Sequence, residues 1–129
     1  MNNSGEALLD LQQRFDVPPG QFLIVCDDFQ LPLGLLRLRL SGSDGGHNGL
    51  FSIITCLGSE DVPRLRCGIA SESIPQEKSL LSRWVLQVFP ESEQPIADAM
   101  STRGAEACAC AASEGMERAM NTYNRTPIL

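Results

Sequence analysis

The sequence predicts an α/β domain: a mixed sheet flanked by helices. Three observations carry this. Phe22–Cys26 (FLIVC) is a short apolar run, the pattern of a strand covered on both faces. Leu36, Leu38 and Leu40 alternate with Arg37 and Arg39, and Arg64–Ala70 alternates in the same way, the period-two signature of half-exposed strands. Between and after these runs, apolar residues recur at helical spacing.

The elements follow in order. Ser4 suits an N-cap and Glu6 favours a first turn, so residues 5–15 read as an amphipathic helix with Ala7, Leu8, Leu11 and Phe15 on its apolar face. Pro18-Pro19-Gly20 ends it. The first strand then runs to Asp27 and Asp28, which stand at its expected carboxyl end, where open α/β sheets bind ligands. Leu31-Pro32-Leu33-Gly34 punctuates the chain before the alternating strand. A glycine-rich loop, SGSDGGHNG, leads into a helix opened by Asn48 or a neighbour. That helix carries Leu50, Ile53, Ile54 and Leu57 on one face, and Gly58 stops it. In strand 64–70 the arginines fall on one face and Leu65, Cys67 and Ile69 on the other. Residues 71–79 are loop-like. Leu80–Phe89, with the single tryptophan Trp84, reads as a short helix or covering segment, and almost as well as a strand. Ser92–Met120 reads as one long alanine-rich helix capped by Ser92, with Ile96, Ala99, Met100, Ala107, Cys110 and Ala111 as its core positions and a weakness at Gly104 and Gly115. The tail 121–129 is expected to fray.

Composition narrows the function classes. The 129 residues allow one domain with a modest core. No apolar run approaches the ~20 residues of a membrane span, and the polar opening segment does not resemble a signal peptide. The five cysteines are odd in number and form no C-x-x-C, which points to reduced thiols in a cytoplasmic protein and away from disulfides or a zinc site. A net charge of −6 argues against non-specific coating of nucleic acid. The charge is uneven, however: segments 1–16 and 91–118 hold most of the acidic excess, so Arg37, Arg39, Arg64 and Arg66 are able to form a local basic face. The alternative is that they are simply solvated strand faces.

The ordered set Asp27-Asp28, Leu31-Pro32-Leu33-Gly34, Gly42, Gly45-Gly46-His47-Asn48-Gly49-Leu50 and Arg64-Leu65-Arg66-Cys67-Gly68-Ile69 resembles the bacterial-type peptidyl-tRNA hydrolases. Met1-Asn2-Asn3-Ser4-Gly5 is similar to that family's M-N-x-S-G, so the resemblance covers nearly the whole chain. It implies a three-layer α/β/α fold and hydrolysis of the ester between a peptide and tRNA, recycling tRNA in translation and rescuing ribosomes. The chemistry needs a general base, a group that orients it, and donors to the developing oxyanion, with no metal or other cofactor.

By this resemblance Asp27 contacts the catalytic histidine and stabilises its charged form, whereas Asp28 is structural; read without it, Asp27 caps a turn. Asn48 matches a cleft asparagine that binds the tRNA-linked end and positions water, although its place equally suits a helix cap. Asn2 matches a substrate-contacting asparagine. Arg39 and Arg66 are the expected tRNA phosphate contacts. His47 is the only histidine, hence the only ordinary base titrating near neutrality, yet the family's base is a different histidine upstream of M-N-x-S-G. His47 is therefore expected to order the loop beside substrate. The glycine loop resembles a phosphate cradle but lacks G-x-G-x-x-G and G-K-[ST].

The family begins with G-L-G-N-P-G and T-R-H-N strands that have no counterpart here. The resemblance thus implies a single, N-terminally incomplete domain over residues 1–129, lacking the first strand region and impaired in catalysis. A full-length form is expected to be monomeric, and the short form to self-associate through an exposed edge. Gln30 stands where the family has an acid. Two other readings remain: a non-catalytic RNA- or partner-binding protein on the same fold, and a nucleotide-binding module.

Overall fold

The computed structural model describes residues 3–124. Along the chain come helix α1 (Ser4–Phe15), strands β1 (Ile24–Pro32) and β2 (Leu36–Arg39), helix α2 (Asn48–Leu57), strand β3 (Arg64–Ala70), the one-turn helix α3 (Leu81–Trp84), and helices α4 (Gln94–Glu114) and α5 (Met116–Tyr123). The strands pair in the order β1-β3-β2. β1 and β3 run in the same direction, since Ile24 N–H donates to the Pro63 carbonyl and Leu33 N–H to that of Ala70. β2 runs opposite to β3: Gly42 N–H meets the Glu60 carbonyl, while Gly68 N–H meets that of Leu35. The mixed sheet with helices is the class the patterning predicts.

Internal packing divides the chain into two compact units. Among the described residues, one comprises 3–26 and 38–65. In it, Leu8 of α1, Ile53 of α2 and Val62 form a core, with Phe22, Ile24 and Leu57 packed around it. Each such burial contributes about 1.5–3 kcal/mol before chain entropy is counted. The expected α2 face is borne out by Leu50 and Ile53, which are buried. The α1 face is narrower than expected: Leu11 and Phe15 are exposed, and Gly5 and Leu8 make the buried line. Ser4 is the first helical residue and not the cap; Asn3 precedes it without a side-chain cap bond. The Gly5 N–H that a cap would satisfy donates instead to Ser52 Oγ of α2 at 3.0 Å.

The other unit comprises residues 27–37 and 66–124. Here β1 does not stop at the acidic doublet. It continues to Pro32, because Asp27–Pro32 finds backbone partners along β3, and so both carboxylates lie within the strand. Gly68 of β3 is the point of closest approach. A Cβ there would sit 2.0 Å from the Pro32 carbonyl oxygen, so only glycine lets the two strands meet. Residues 78–84 form a 3-10 turn and α3, which settles the ambiguous segment as helical. The single long helix is instead two. Gly115, at φ 95°, breaks the hydrogen-bond ladder, and α5 leaves in a new direction with Arg103 of α4 stacked 4.8 Å over the Tyr123 ring. Ser92 does not cap α4: Glu93 takes that position, and Pro95 occupies the first turn. The buried line of α4 is Ala97, Met100, Gly104 and Ala107; Ile96, Ala99, Cys110 and Ala111 are only half-buried. Of the segment expected to fray, 121–123 is helical and 125–129 lies outside the described residues.

Candidate functional site

Asp27 and Asp28 are adjacent in a strand, so their side chains leave on opposite faces. Asp27 lines a cavity of about 290 Å³ walled by Ile69 of β3 and by the segment after α3, with Trp84, Val88, Phe89 and Glu93 among its lining. Asp28 is buried on the other side. Its Oδ1 accepts the Gln30 N–H at 2.8 Å, and its Oδ2 meets the Arg66 guanidinium at 3.4 Å. That arrangement fixes the course of β1 past the doublet. It also sets a negative charge against Arg66, whose side chain is four-fifths buried. One thiol, that of Cys67, lies within reach of the Asp27 charge. Burial, then Cys108, then the negative charge of Asp27 push the Cys67 thiol up to about 11. The residues lining the cavity with Asp27 are mostly apolar, and no lysine or arginine is among them.

In the other unit, the glycine loop is held by internal bonds. Asp44 Oδ1 accepts the Gly46 N–H at 2.7 Å, and the Asp44 carbonyl accepts the His47 N–H at 3.0 Å. Arg64 is fully buried, which overturns its expected place on a basic face. Nε donates to the Val62 carbonyl at 3.0 Å, Nη1 to Ser43 at 2.8 Å and Nη2 to Glu60 at 3.1 Å. A buried guanidinium satisfied by carbonyls is a structural clamp, because its donors are no longer offered to a phosphate.

His47 is the N-cap of α2: its Nδ1 accepts the Leu50 N–H at 3.1 Å. A neutral imidazole has one acceptor nitrogen, and here the cap occupies it, which argues against His47 as the base. The capping role weighed for Asn48 thus belongs to its neighbour. Asn48 is the first residue of α2, exposed at the rim of an open hollow lined also by Phe51, Ser52, Thr55 and Cys56. Arg39, at the end of β2, is exposed and donates from Nη1 to the Leu38 carbonyl. Asn2 lies outside the described residues.

Trp84 and Glu93, which also line the cavity, belong to no motif that marks them as site residues. The signal available for them was slight: the chain's only tryptophan, and an acid three residues past a helix-breaking proline. Among the described residues, no group of three or more His, Cys, Asp or Glu is placed to hold a metal ion, and no helix is long and apolar enough to cross a membrane.

Comparison with known proteins gives a consistent answer. The family model described as peptidyl-tRNA hydrolase matches residues 1–128. The peptidyl-tRNA hydrolase of Carboxydothermus hydrogenoformans is 42% identical over 125 residues, covering 97% of this chain and 65% of that protein. That of Aquifex aeolicus is 37% identical over 129 residues, covering 100% of this chain and 66% of its own length. The crystal structure of the Acinetobacter baumannii peptidyl-tRNA hydrolase superposes with a TM-score of 0.88 at 29% identity, covering 100% of this chain and 64% of that one. The chain therefore spans about 65% of the length of the curated relatives it matches.

Proposed function

Because the chain belongs to the peptidyl-tRNA hydrolase family, we propose that its protein hydrolyses the ester joining a peptide to the 3′ end of tRNA. On this reading it frees tRNA for translation and rescues stalled ribosomes in the cytoplasm. The observation that carries the reading furthest is Asp27, an acid of the matched motif, lining a largely apolar cavity. In that setting a carboxylate is best used to accept an imidazole N–H and stabilise the imidazolium formed when a histidine takes a proton from water.

Asn48, and Asn2 with it, would hold the ester-linked end and the attacking water, each amide both donating and accepting. Arg39 would contact tRNA phosphate directly. Arg66, engaged by Asp28, would do so only after sharing its donors. His47 orders the loop that presents Asn48.

The family's base comes from residues that precede the M-N-x-S-G position. We therefore expect the 129 residues assayed alone to release peptide poorly and to self-associate, and a chain extended upstream in frame to turn over as a monomer. Release of peptide from a model peptidyl-tRNA tests this. In the extended chain, Asp27→Asn should lower the rate at least ~100-fold. Full activity of that variant would sink the assignment of Asp27. Loss of turnover in His47→Ala that His47→Asn does not restore would move the base to His47.

A further inference from the structure

Asp28 is a buried acid that the hydrolysis itself leaves unused. Its Oδ1 accepts the Gln30 N–H at 2.8 Å, a task that the neutral oxygen of an asparagine or serine performs as well. The charge is needed only at Oδ2, which meets Arg66 Nη1 at 3.4 Å. A buried ion pair is a poor source of stability, because desolvation offsets most of its attraction. What this pair does supply is a guanidinium held in one place.

The register of the sheet shows why it must be held. Gly68 N–H donates to the Leu35 carbonyl, so the antiparallel pairing of β2 with β3 sets Arg37 directly opposite Arg66. Like charges opposite one another repel. Without the carboxylate, Arg66 would turn away from Arg37 on its flexible stem. Together Asp28, Arg66 and Arg37 carry an excess of one positive charge. The exposures of the pair are unequal as well: the Asp28 side chain keeps 9% of its surface and that of Arg66 keeps 21%. An anion arriving from solvent therefore meets guanidinium before it meets carboxylate. A guanidinium carries five donors, so one carboxylate oxygen does not exhaust its capacity for oxyanions.

We propose that Asp28 is a positioning residue for tRNA: from its covered place in β1 it holds Arg66 in the orientation in which the guanidinium receives a phosphate oxygen. The proposal rests on the reading of Arg66 as a tRNA phosphate contact. Asp28 touches neither the ester nor the phosphate. It acts through Arg66, so its loss is felt in binding and not in the chemical step.

The upstream-extended chain is titrated with uncharged tRNA at several salt concentrations, and its turnover of a model peptidyl-tRNA is measured beside it. Arg66→Gln should weaken tRNA about tenfold and lower the slope of log Kd against log salt by about 0.9, the share of one phosphate. Asp28→Asn, which keeps an acceptor for the Gln30 N–H, should weaken tRNA about fivefold, raise KM by the same factor and leave kcat unchanged. In the Arg66→Gln background Asp28→Asn should add nothing, since no guanidinium is left to hold. If Asp28→Asn does not fold, Asp28→Glu takes its place. The charge then stays but shifts by one methylene, and tRNA should weaken about threefold, again only when Arg66 is present. Tighter binding or an unchanged Kd in the Asp28 variant, a fall in kcat with KM unchanged, or an effect that persists without Arg66 overturns the proposal. The two readings fail differently. If Arg66→Gln leaves Kd and salt slope intact, Arg66 is no phosphate contact and both fall. If Arg66→Gln weakens tRNA and the Asp28 variant does not, the phosphate contact stands and the positioning role falls.

Discussion

Arg64 Nη1 donates to the Ser43 carbonyl at 2.8 Å, tying the first turn of the glycine loop to the start of β3. The same guanidinium also serves the Val62 and Glu60 carbonyls. Arg64→Met would strand three acceptors around an apolar side chain. Arg64→Lys would recover part of the charge but not the planar fork. Urea unfolding should show a loss of roughly 3–5 kcal/mol for Arg64→Met and a smaller loss for Arg64→Lys. A loss under about 0.5 kcal/mol would mean that water replaces the guanidinium without cost.

The cap made by His47 predicts a graded pair of variants. His47→Ala removes the acceptor for the Leu50 N–H and should lower stability by about 1 kcal/mol, while His47→Asn should restore most of it. The stability measurement belongs beside the activity assay. If the asparagine variant is stable and active, His47 is a loop-ordering residue and nothing more.

Gly68 faces the Pro32 carbonyl with no room for a methyl group. Gly68→Ala should cost about 3 kcal/mol, at the upper end of overpacking, because the obstacle is backbone and not a side chain able to turn away. Hydrogen exchange of the Leu33 amide, which donates to Ala70 beside it, should rise with the substitution. Wild-type protection there would show that β1 shifts to make room.

The Cys67 thiol implies a pH dependence of known sign. Its folded value is raised from 9.0 to about 11 by burial and by the negative charge beside it. Below pH 9 the thiol is protonated in both states and contributes nothing. Between 9 and 11 the unfolded chain releases the proton and the folded chain holds it, so stability falls as pH rises, by roughly 1–3 kcal/mol across the window. Cys67→Ala should flatten the decline measured by chemical denaturation at several alkaline pH values. An unchanged slope would remove Cys67 from the account.

Much of the architecture was readable from periodicity, because in β2 and α2 the spacing and the burial agree. β1 was misjudged at its end. An acidic doublet looks like a strand terminus until Asp28 finds Arg66 and Gln30, partners distant or invisible in a linear pattern. Arg64 and Arg66 look equivalent in sequence, two arginines on one face of one strand. Three nearby carbonyls bury the first, and an aspartate engages the second. Asp27 and Asn48 were legible through the motifs that contain them. Trp84 and Glu93 were not, since what joins them to Asp27 is the path of the chain after β3, on which residues 71–79 carry no periodic signal.

The break at Gly115 gives α5 an existence of its own. Eight residues are too few for a helix to persist unaided in water, so α5 depends on what it leans on, the Arg103–Tyr123 stack and the burial of Ala119. A continuous helix would distribute thermal opening along its whole length. Here the joint confines it. Native-state deuterium uptake should therefore separate into two tiers, with the amides of α5 exchanging through a cheap local opening while those in the middle of α4 wait for global unfolding. Tyr123→Ala should quicken the first tier and leave the second untouched.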